Sequence, residues 1–320
     1  MTKKNIAVIG GSGFIGTRLC GLLAEREDID FKIIDLVKSE KYPNNWTLGD
    51  VRDYQSLVPA FESVDVVINL AAEHKDNVQP VSKYYATNVE GQKNICKAMD
   101  ANGVKHLIFT SSVAVYGFVT EDTGEDGAIN PFHEYGDSKY KAELVANEWL
   151  DEGKHLSIIR PTVVFGEGNR GNVYNLLRQI ASGKFLMIGS GKNKKSMAYV
   201  GNVAAFINHL IDNANGTQVF NYADKPDFNM NTLVSTVNTA LGKEAGTVRI
   251  PYFLGLAGGY AFDVLSWLLR RELPISSIRI KKFCAITQFK SRTDMCGFAK
   301  PQTLQDGLSA TVRNEFANTD

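Results

Sequence analysis

The fold is decided by residues 5–16, which read Asn5-Ile-Ala-Val-Ile-Gly-Gly-Ser-Gly-Phe-Ile-Gly16. The short apolar run predicts a strand, and the glycines lie where that strand would turn into a helix. Glycine permits a tight turn, a close approach of the backbone to a pyrophosphate and close packing of the following helix, whose N-terminus faces the phosphates. The predicted dinucleotide contacts in this turn are Gly10, Gly13, Phe14, Ile15 and Gly16.

Apolar runs alternate with helical patterns through the first half of the chain. Strand-like runs lie at 5–10, 31–35, 65–70, 105–110 and 155–160. Helix-like segments lie between and after them at 14–26, 53–61, 81–101 and 135–151. This alternation predicts an α/β fold with a doubly wound parallel sheet of the Rossmann type. A smaller C-terminal substrate domain is expected to be interleaved with it. The expected division is 1–165 plus about 196–222 for the cofactor domain and about 166–195 plus 223–320 for the substrate domain.

The composition excludes several classes of protein. The 320 residues include 35 basic and 35 acidic side chains and no long basic run, which disfavours a nucleic-acid partner. The four cysteines show no C-x-x-C spacing, so we expect a reduced cytosolic protein with neither a disulfide framework nor a metal site. The N-terminal residues lead directly into the first predicted strand and leave no room for a secretory leader.

Two aspartates follow predicted strands at the edge where the glycine turn lies. Asp35 ends the second strand 19 positions after Gly16, where its carboxylate can bind the adenosine ribose and repel a 2′-phosphate, which favours NAD over NADP. An ordinary turn residue is the alternative for Asp35. Asp50 follows the third strand and could bond the adenine amine, whereas Asp53 fits a helix N-cap equally well. Of these last two, only Asp50 is predicted as a cofactor contact.

A serine, a tyrosine and a lysine form the candidate catalytic group. Tyr135 and Lys139 are four residues apart in a helical segment, so both side chains project from one face. An adjacent ammonium and the positive nicotinamide ring are expected to favour the phenolate of Tyr135 as a general base. Ser112 follows the fifth strand, at the sheet edge where such folds bind ligands.

The order of these motifs resembles the extended short-chain dehydrogenase family, which includes UDP-glucose 4-epimerase and sugar-nucleotide dehydratases. The matching residues are Gly10, Gly13, Gly16, Asp35, Asp50, Asn88, Ser112, Tyr135, Lys139, Arg160 and Pro161. The resemblance implies NAD as the cofactor, with Lys139 on the nicotinamide ribose. The further implied cofactor contacts are Val51, Leu70, Ala71, Ala72, Asn88, Tyr135 and Pro161.

In that family the epimerases oxidise a sugar at C4 and return the hydride to the other face, with the tyrosine as the base. The dehydratases of the family use a pair of acidic residues for the elimination. This chain has Val113 and Ala114 at those two positions, so elimination is disfavoured. His74 lies near the nicotinamide end, and a structural or ribose-contacting role is preferred to a catalytic one. The candidate substrate contacts are His74, Ser112, Val113, Arg170 and Lys195.

Two segments of this sequence differ from those of nucleotide-sugar epimerases, and the differences bear on which group carries the sugar. The segments Arg160-Pro-Thr-Val163 and Lys195-Ser-Met-Ala-Tyr-Val200 replace the usual contacts, which weakens the case for a bound nucleoside, although Arg170, Lys194 and Lys195 could meet a diphosphate. Segment 251–271 is apolar on nearly every helical face, with aromatic residues and a following Arg-Arg pair. Three glycines and a central Asp263 disfavour a membrane span and favour a helix in the membrane interface. A buried helical hairpin or a dimer contact is the alternative.

Phrases such as Ser196-Met-Ala-Tyr-Val-Gly-Asn202 resemble a narrower bacterial group of the family, which epimerises N-acetylglucosamine carried on diphospho-undecaprenol. This resemblance implies conversion of lipid-linked GlcNAc to lipid-linked GalNAc for surface polysaccharide, including O-antigen. It also implies a cytoplasmic protein held peripherally at the inner face of the cell membrane. A soluble UDP-GlcNAc or UDP-glucose 4-epimerase and a non-catalytic NAD-binding scaffold remain alternatives, and a homodimer remains open.

Overall fold

The computed structural model describes residues 3–75, 77–119, 122–213, 215–244, 247–271, 273 and 276–317. Its strands are β1 Lys4–Ile9, β2 Ile29–Asp35, β3 Trp46–Leu48, β4 Val66–Asn69, β5 His106–Thr110, β6 His155–Pro161, β7 Val163–Phe165, β8 Leu186–Ile188, β9 Lys194–Lys195, β10 Met197–Tyr199, β11 Thr217–Tyr222, β12 Phe228–Asn229 and β13 Val248–Ile250. Its α-helices are α1 Phe14–Ala24, α2 Tyr54–Ala60, α3 Ser82–Tyr85, α4 Gly91–Ala101, α5 Glu134–Trp149, α6 Asn172–Ala181, α7 Val200–Leu210, α8 Met230–Ala240, α9 Tyr252–Leu269, α10 Ser277–Cys284 and α11 Leu304–Phe316.

Seven strands form one parallel sheet in the order β11-β6-β5-β4-β1-β2-β3. Successive residues of β1 point to opposite faces, as a pleated strand requires. Ala7 and Ile9 pack with α2, α4 and α5, whereas Ile6 and Val8 pack with α1 and α7. Helices therefore cover both faces of the sheet, and the predicted doubly wound Rossmann-type fold is confirmed.

The predicted strands and helices match the observed ones to within a few residues, with one difference. The segment predicted as a single helix at 81–101 consists of α3, a π-helical stretch Ala86–Glu90 and α4. Asn88 lies in the π-helical stretch, and its buried amide bonds to Glu73 and Ser138. Such stretches are frequent at functional sites, and the apolar period does not reveal them.

A second core lies beside the carboxyl edge of the main sheet. It brings α6, α8 and α11 together through residues such as Leu177, Leu233 and Leu308. Three short two-stranded pairings, β7 with β10, β9 with β12 and β8 with β13, connect its loops. The predicted division of the chain into two interleaved domains stays a prediction.

The apolar helix α9 lies on the outside of the described chain. It packs against α10, and its Gly259 approaches Ser277 and Ile280, yet Gly259 is its single buried residue. Phe253, Trp267 and Leu268 are each more than 60% exposed. The alternative of a buried helical hairpin is therefore wrong for the described residues, because α10 covers only one side of α9. By length and composition α9 could also cross a membrane, with a mean hydropathy of 1.3.

Candidate functional site

The glycine turn connects β1 to α1 at the carboxyl edge of the sheet. Gly10 has a φ of +74°, and a Cβ at this position would lie 2.8 Å from the backbone nitrogen of Ala71. A Cβ on Gly16 would lie 2.5 Å from the Cα of Gly11. Side chains are thus excluded from the turn, as close helix packing demands. Gly13 caps α1 without a side chain, so the first N–H groups of the helix can bind phosphate.

Asp35 ends β2 beside this turn. Its carboxylate accepts hydrogen bonds from the backbone N–H of Ser12 at 3.1 Å and of Val37 at 3.0 Å. These bonds fix a negative charge next to the phosphate-binding turn, where a ribose diol can bind and a 2′-phosphate is repelled. The cradle without side chains, the helix N-terminus and the fixed carboxylate together fit a dinucleotide such as NAD.

The other predicted cofactor residues lie around the carboxyl edge of the sheet. Leu70, Ala71 and Ala72 follow β4 and approach the glycine turn, and Pro161 ends β6. Val51 is buried, and Asn88 ties Glu73 to Ser138. These six cofactor contacts, together with Phe14 and Ile15 on α1, stay predictions.

The two aspartates after β3 differ in what they bind. The Asp50 carboxylate holds Arg52, with a shortest distance of 2.6 Å to the guanidinium, and this contact lowers the pKa of Asp50. An adenine contact by Asp50 stays a prediction and would require sharing the carboxylate with Arg52. Asp53 accepts the N–H of Gln55 at 3.0 Å, which confirms its interpretation as the N-cap of α2.

The catalytic candidates come from two neighbouring segments. Ser112 caps the 3-10 turn Val113–Tyr116 by accepting the N–H of Ala114 at 3.1 Å. His133 caps α5 by accepting the N–H of Gly136 at 3.1 Å, which fixes the first turn that carries Tyr135. The Ser112 side chain also lies close enough to the Tyr135 phenol to act on it and to lower its pKa. The structure thus brings Ser112 and Tyr135 together, with Lys139 one turn further along α5.

Burial changes the expected electrostatics of this group. It raises the pKa of Tyr135 above its usual value, and the Ser112 side chain acts in the opposite direction. Lys139 is 1% exposed, and the same cause lowers its pKa to about 7. Its Nζ lies 4.4 Å from the centroid of the Phe109 ring. Desolvation thus opposes the charged forms of both side chains, and the expectation that the Lys139 ammonium and the positive nicotinamide ring together favour the Tyr135 phenolate stays a prediction.

A buried ion pair that the sequence analysis missed supports this helix. Glu143 follows Lys139 by one turn of α5, and its carboxylate binds Arg160 of β6 at 2.6 and 2.8 Å. Arg160 also donates to the Tyr116 hydroxyl at 2.7 Å, and that hydroxyl donates to Asn221 at 2.8 Å. The spacing of Tyr135, Lys139 and Glu143 at intervals of four places Glu143 on the same face of α5, but it does not identify Arg160 as its partner.

The candidate substrate contacts are spread over several elements. His74 is exposed and its Nδ1 lies 3.4 Å from the carbonyl oxygen of Ala72, while Val113 is half-buried beside Ser112. Arg170 pairs with Glu315 of α11 at 2.7 Å. Lys195 donates to the Lys282 carbonyl oxygen at 2.9 Å, and burial lowers its pKa. Both cations thus have protein partners, and their binding of a diphosphate stays a prediction.

Residues 6–223 match the family described as NAD dependent epimerase/dehydratase. The chain belongs to this family. Membership of this family confirms the prediction that the protein is an NAD-dependent enzyme. One relative is 50% identical over 99% of this chain and 96% of its own length, the N-acetyl-alpha-D-glucosaminyl-diphospho-ditrans,octacis-undecaprenol 4-epimerase of Escherichia coli O157:H7. The UDP-glucose 4-epimerase of Vibrio cholerae is 28% identical over 97% of this chain and 95% of its own.

Solved structures share the fold of this NAD dependent epimerase/dehydratase family member. The UDP-N-acetylglucosamine 4-epimerase from Bacillus cereus superposes with a TM-score of 0.77, covering 97% of this chain and 98% of its own. Its sequence identity is 16%, so it supports the fold alone.

Proposed function

We propose that this protein is an NAD-dependent 4-epimerase that converts GlcNAc-diphospho-undecaprenol to GalNAc-diphospho-undecaprenol. The observation that carries the proposal is the 50% identity, over nearly the whole of both chains, with an E. coli enzyme of that activity. The product would supply a GalNAc-initiated surface polysaccharide such as an O-antigen. Val113 and Ala114 offer no acid or base for an elimination, which favours epimerisation over dehydration.

The site residues can perform the proton chemistry of this reaction. When bound, NAD supplies a hydride acceptor and donor for the sugar C4, so that the 4-keto sugar can be reduced on its other face without net redox change. Tyr135 takes the proton of the 4-hydroxyl and later returns one, and Ser112 holds the phenol in position. Lys139, with a pKa of about 7, can exchange a proton near neutral pH at the same helix face. The glycine turn would hold the pyrophosphate of the cofactor, and Asp35 would hold its adenosine ribose.

The exposed side of α9 supports a place at the cytoplasmic face of the membrane. Asp263 near its middle accepts the N–H of Ser277 at the start of α10, and Lys281 of α10 donates to the Tyr260 hydroxyl at 2.9 Å. These bonds hold the Asp263 carboxylate against α10 and fix α10 along one side of α9. An interfacial helix with its apolar side toward lipid is consistent with this arrangement and leaves Asp263 out of the hydrocarbon.

A nucleotide-linked substrate is the second candidate, favoured by the 28% identical UDP-glucose 4-epimerase. The sequence counts against it, because Arg160-Pro-Thr-Val163 and Lys195-Ser-Met-Ala-Tyr-Val200 replace the segments that nucleotide-sugar epimerases usually carry. The partners of Lys195 and Arg170 do not distinguish the two carriers, since both carriers bring a diphosphate. We therefore place nucleotide-linked sugars below the lipid-linked one.

The proposed function is tested by incubating the detergent-solubilised protein and NAD with radiolabelled GlcNAc-diphospho-undecaprenol. Released sugars are then separated after mild acid hydrolysis. We expect labelled GalNAc to accumulate toward a fixed ratio, and the same ratio to be reached from the GalNAc lipid. Absence of GalNAc from a protein that binds NAD would contradict the proposal.

A further inference from the structure

Four aromatic rings lead from the catalytic tyrosine to the protein surface. The Tyr135 ring lies 5.9 Å from His133, and His133 lies 4.3 Å from Phe132, centroid to centroid. Phe132 is stacked on Phe118 at 4.2 Å. Phe118 is 64% exposed and Phe132 is 47% exposed. Two stacked phenyl rings thus stand open to solvent a short way from the reacting group.

A lysine from another part of the chain lies over these rings. Lys282 of α10 places its Nζ 4.9 Å from the Phe132 centroid and 5.6 Å from the Phe118 centroid. Its neighbour Lys281 points the other way and binds Tyr260 of α9. The last turn of α10 therefore joins the exposed rings to the apolar helix. A cation next to exposed aromatic surface matches a ligand that is anionic at one end and apolar at the other.

We propose that Phe118, Phe132 and Lys282 form a carrier subsite, which binds the substrate just beyond its sugar. Lys282 contacts the diphosphate, and the two rings contact the first isoprene units of the lipid. The lipid chain then continues over α10 toward α9, where Ile278 and Phe253 are exposed. This inference rests on the proposed function and assigns recognition of the diphosphate to Lys282 and recognition of the lipid carrier to Phe118 and Phe132.

The charge and the apolar surface favour this occupant. A diphosphate carries negative charge that a lysine ammonium can bind as a point charge. The rings face solvent beside α10, which packs on the most exposed apolar helix of the described residues. A nucleoside could also stack on a phenyl ring, and the experiment below separates the two.

The test compares KM and kcat of the full-length protein with three substrates, namely GlcNAc-diphosphate linked to undecaprenol, the same sugar diphosphate with a methyl group, and UDP-GlcNAc. Phe118→Ala and Phe132→Ala should each raise KM for the undecaprenyl substrate about tenfold, the effect of losing roughly one phenyl ring of apolar contact. Both should leave kcat, and KM for the methyl substrate, within about twofold. Lys282→Ala should raise KM for all three substrates, since each carries the diphosphate that it binds, and should leave kcat within about twofold.

Matched controls separate binding from folding. Met295→Ala removes an exposed apolar side chain elsewhere, and Lys97→Ala removes an exposed lysine on α4. Both controls should leave all three KM values unchanged, and NAD binding reports folding in every variant. A general folding defect would change the kinetic constants for all three substrates together. Loss of a subsite phenyl ring should instead raise KM only for the undecaprenyl substrate.

The outcomes are distinct for the subsite and for the proposed function. If wild-type protein converts the undecaprenyl substrate and the phenylalanine variants keep its KM, the carrier subsite is wrong and the proposed function stands. Equal losses of kcat with every substrate would also overturn the subsite, because they indicate a structural role. If KM rises only for UDP-GlcNAc, the rings bind a nucleoside instead. If wild-type protein converts no lipid-linked sugar, both proposals fail.

Discussion

Glu143 of α5 and Arg160 of β6 are joined inside the protein by two hydrogen bonds, from Arg160 Nε and one terminal nitrogen to the two carboxylate oxygens at 2.8 and 2.6 Å. Their side chains are 2% and 8% exposed. The pair fixes the helix that carries Tyr135 and Lys139 against the sheet. It also occupies the one carboxylate that lies a helical turn from Lys139, so the lysine does not gain a full ion pair with it.

Breaking this pair should destabilise the protein strongly. Arg160→Leu leaves the Glu143 carboxylate buried without its partner, and we expect a loss of about 3–5 kcal/mol in the free energy of unfolding by urea. The double change Glu143→Leu with Arg160→Leu should recover much of that loss, because no buried charge remains. Lys93→Ala, which breaks an exposed pair with Glu90, should change stability by less than about 1 kcal/mol. Equal effects of the buried and exposed changes would contradict this reasoning.

Tyr135→Phe should abolish epimerisation while NAD stays bound. The phenol oxygen is the group that moves the proton, whereas the cofactor is held by the glycine turn and Asp35. The measurement is turnover of the lipid-linked sugar together with NAD content after purification. Tyr85→Phe, which removes a hydroxyl that donates to Asp137 at 2.7 Å, serves as the control and should keep turnover. An active Tyr135→Phe variant would support a non-catalytic scaffold.

The depressed pKa of Lys139 should make stability depend on pH. The folded lysine loses its proton near pH 7, whereas the unfolded one keeps it until about 10.5. Because the unfolded state binds more protons between these values, the stability of the cofactor-free protein should rise with pH from about 7 upward. Lys139→Met should remove this rise, and Lys141→Met, at an exposed pair with Asp137, should keep it. The measurement is the free energy of unfolding across that range, and identical slopes in wild type and Lys139→Met would refute the assignment.

Asp35 should set the preference for NAD over NADP. Asp35→Asn keeps an acceptor for the Ser12 or Val37 N–H but removes the negative charge, so repulsion of a 2′-phosphate is lost. We expect the ratio of the dissociation constants for NADP and NAD to fall by about tenfold or more, measured by calorimetry. Asp53→Asn, at the N-cap of α2, should leave that ratio unchanged. An unchanged ratio in Asp35→Asn would mean that another group reads the ribose.

The exposed side of α9 should govern membrane binding. Replacing Phe253, Trp267 and Leu268 by serine removes three large apolar contacts, and binding to anionic phospholipid vesicles should fall by at least about tenfold in sedimentation. The methyl-diphosphate substrate should still be converted. A triple serine change at Leu186, Val248 and Met295, all exposed elsewhere, is the matched control. Equal vesicle binding by both triple variants would exclude α9 as the membrane contact.

Local patterns were enough to predict much of the fold and the catalytic group. The Gly10 turn, the Asp53 cap and the pairing of Tyr135 with Lys139 on one helix face depend on residues within a few positions of one another. The order of these motifs along the chain was the basis for predicting the family. Their agreement with the structure follows from the short range of the interactions that produce them.

The remaining features depend on contacts between distant segments. Arg160 meets Glu143 because β6 and α5 pack together, and no local spacing reveals that pair. Burial by tertiary packing lowers the pKa of Lys139, and the sequence pattern does not reveal that burial. The apolar pattern of α9 is compatible with a buried helix and with an exposed one, so the sequence alone does not distinguish them.

The lipid-linked substrate is tested by comparing kcat/KM for GlcNAc-diphospho-undecaprenol and UDP-GlcNAc in one detergent assay with NAD. We expect the lipid-linked sugar to be preferred by at least about a hundredfold, which corresponds to a difference of roughly 2.7 kcal/mol in transition-state stabilisation. Equal or greater efficiency with UDP-GlcNAc would rule out a preference for the lipid carrier and make the protein a nucleotide-sugar epimerase.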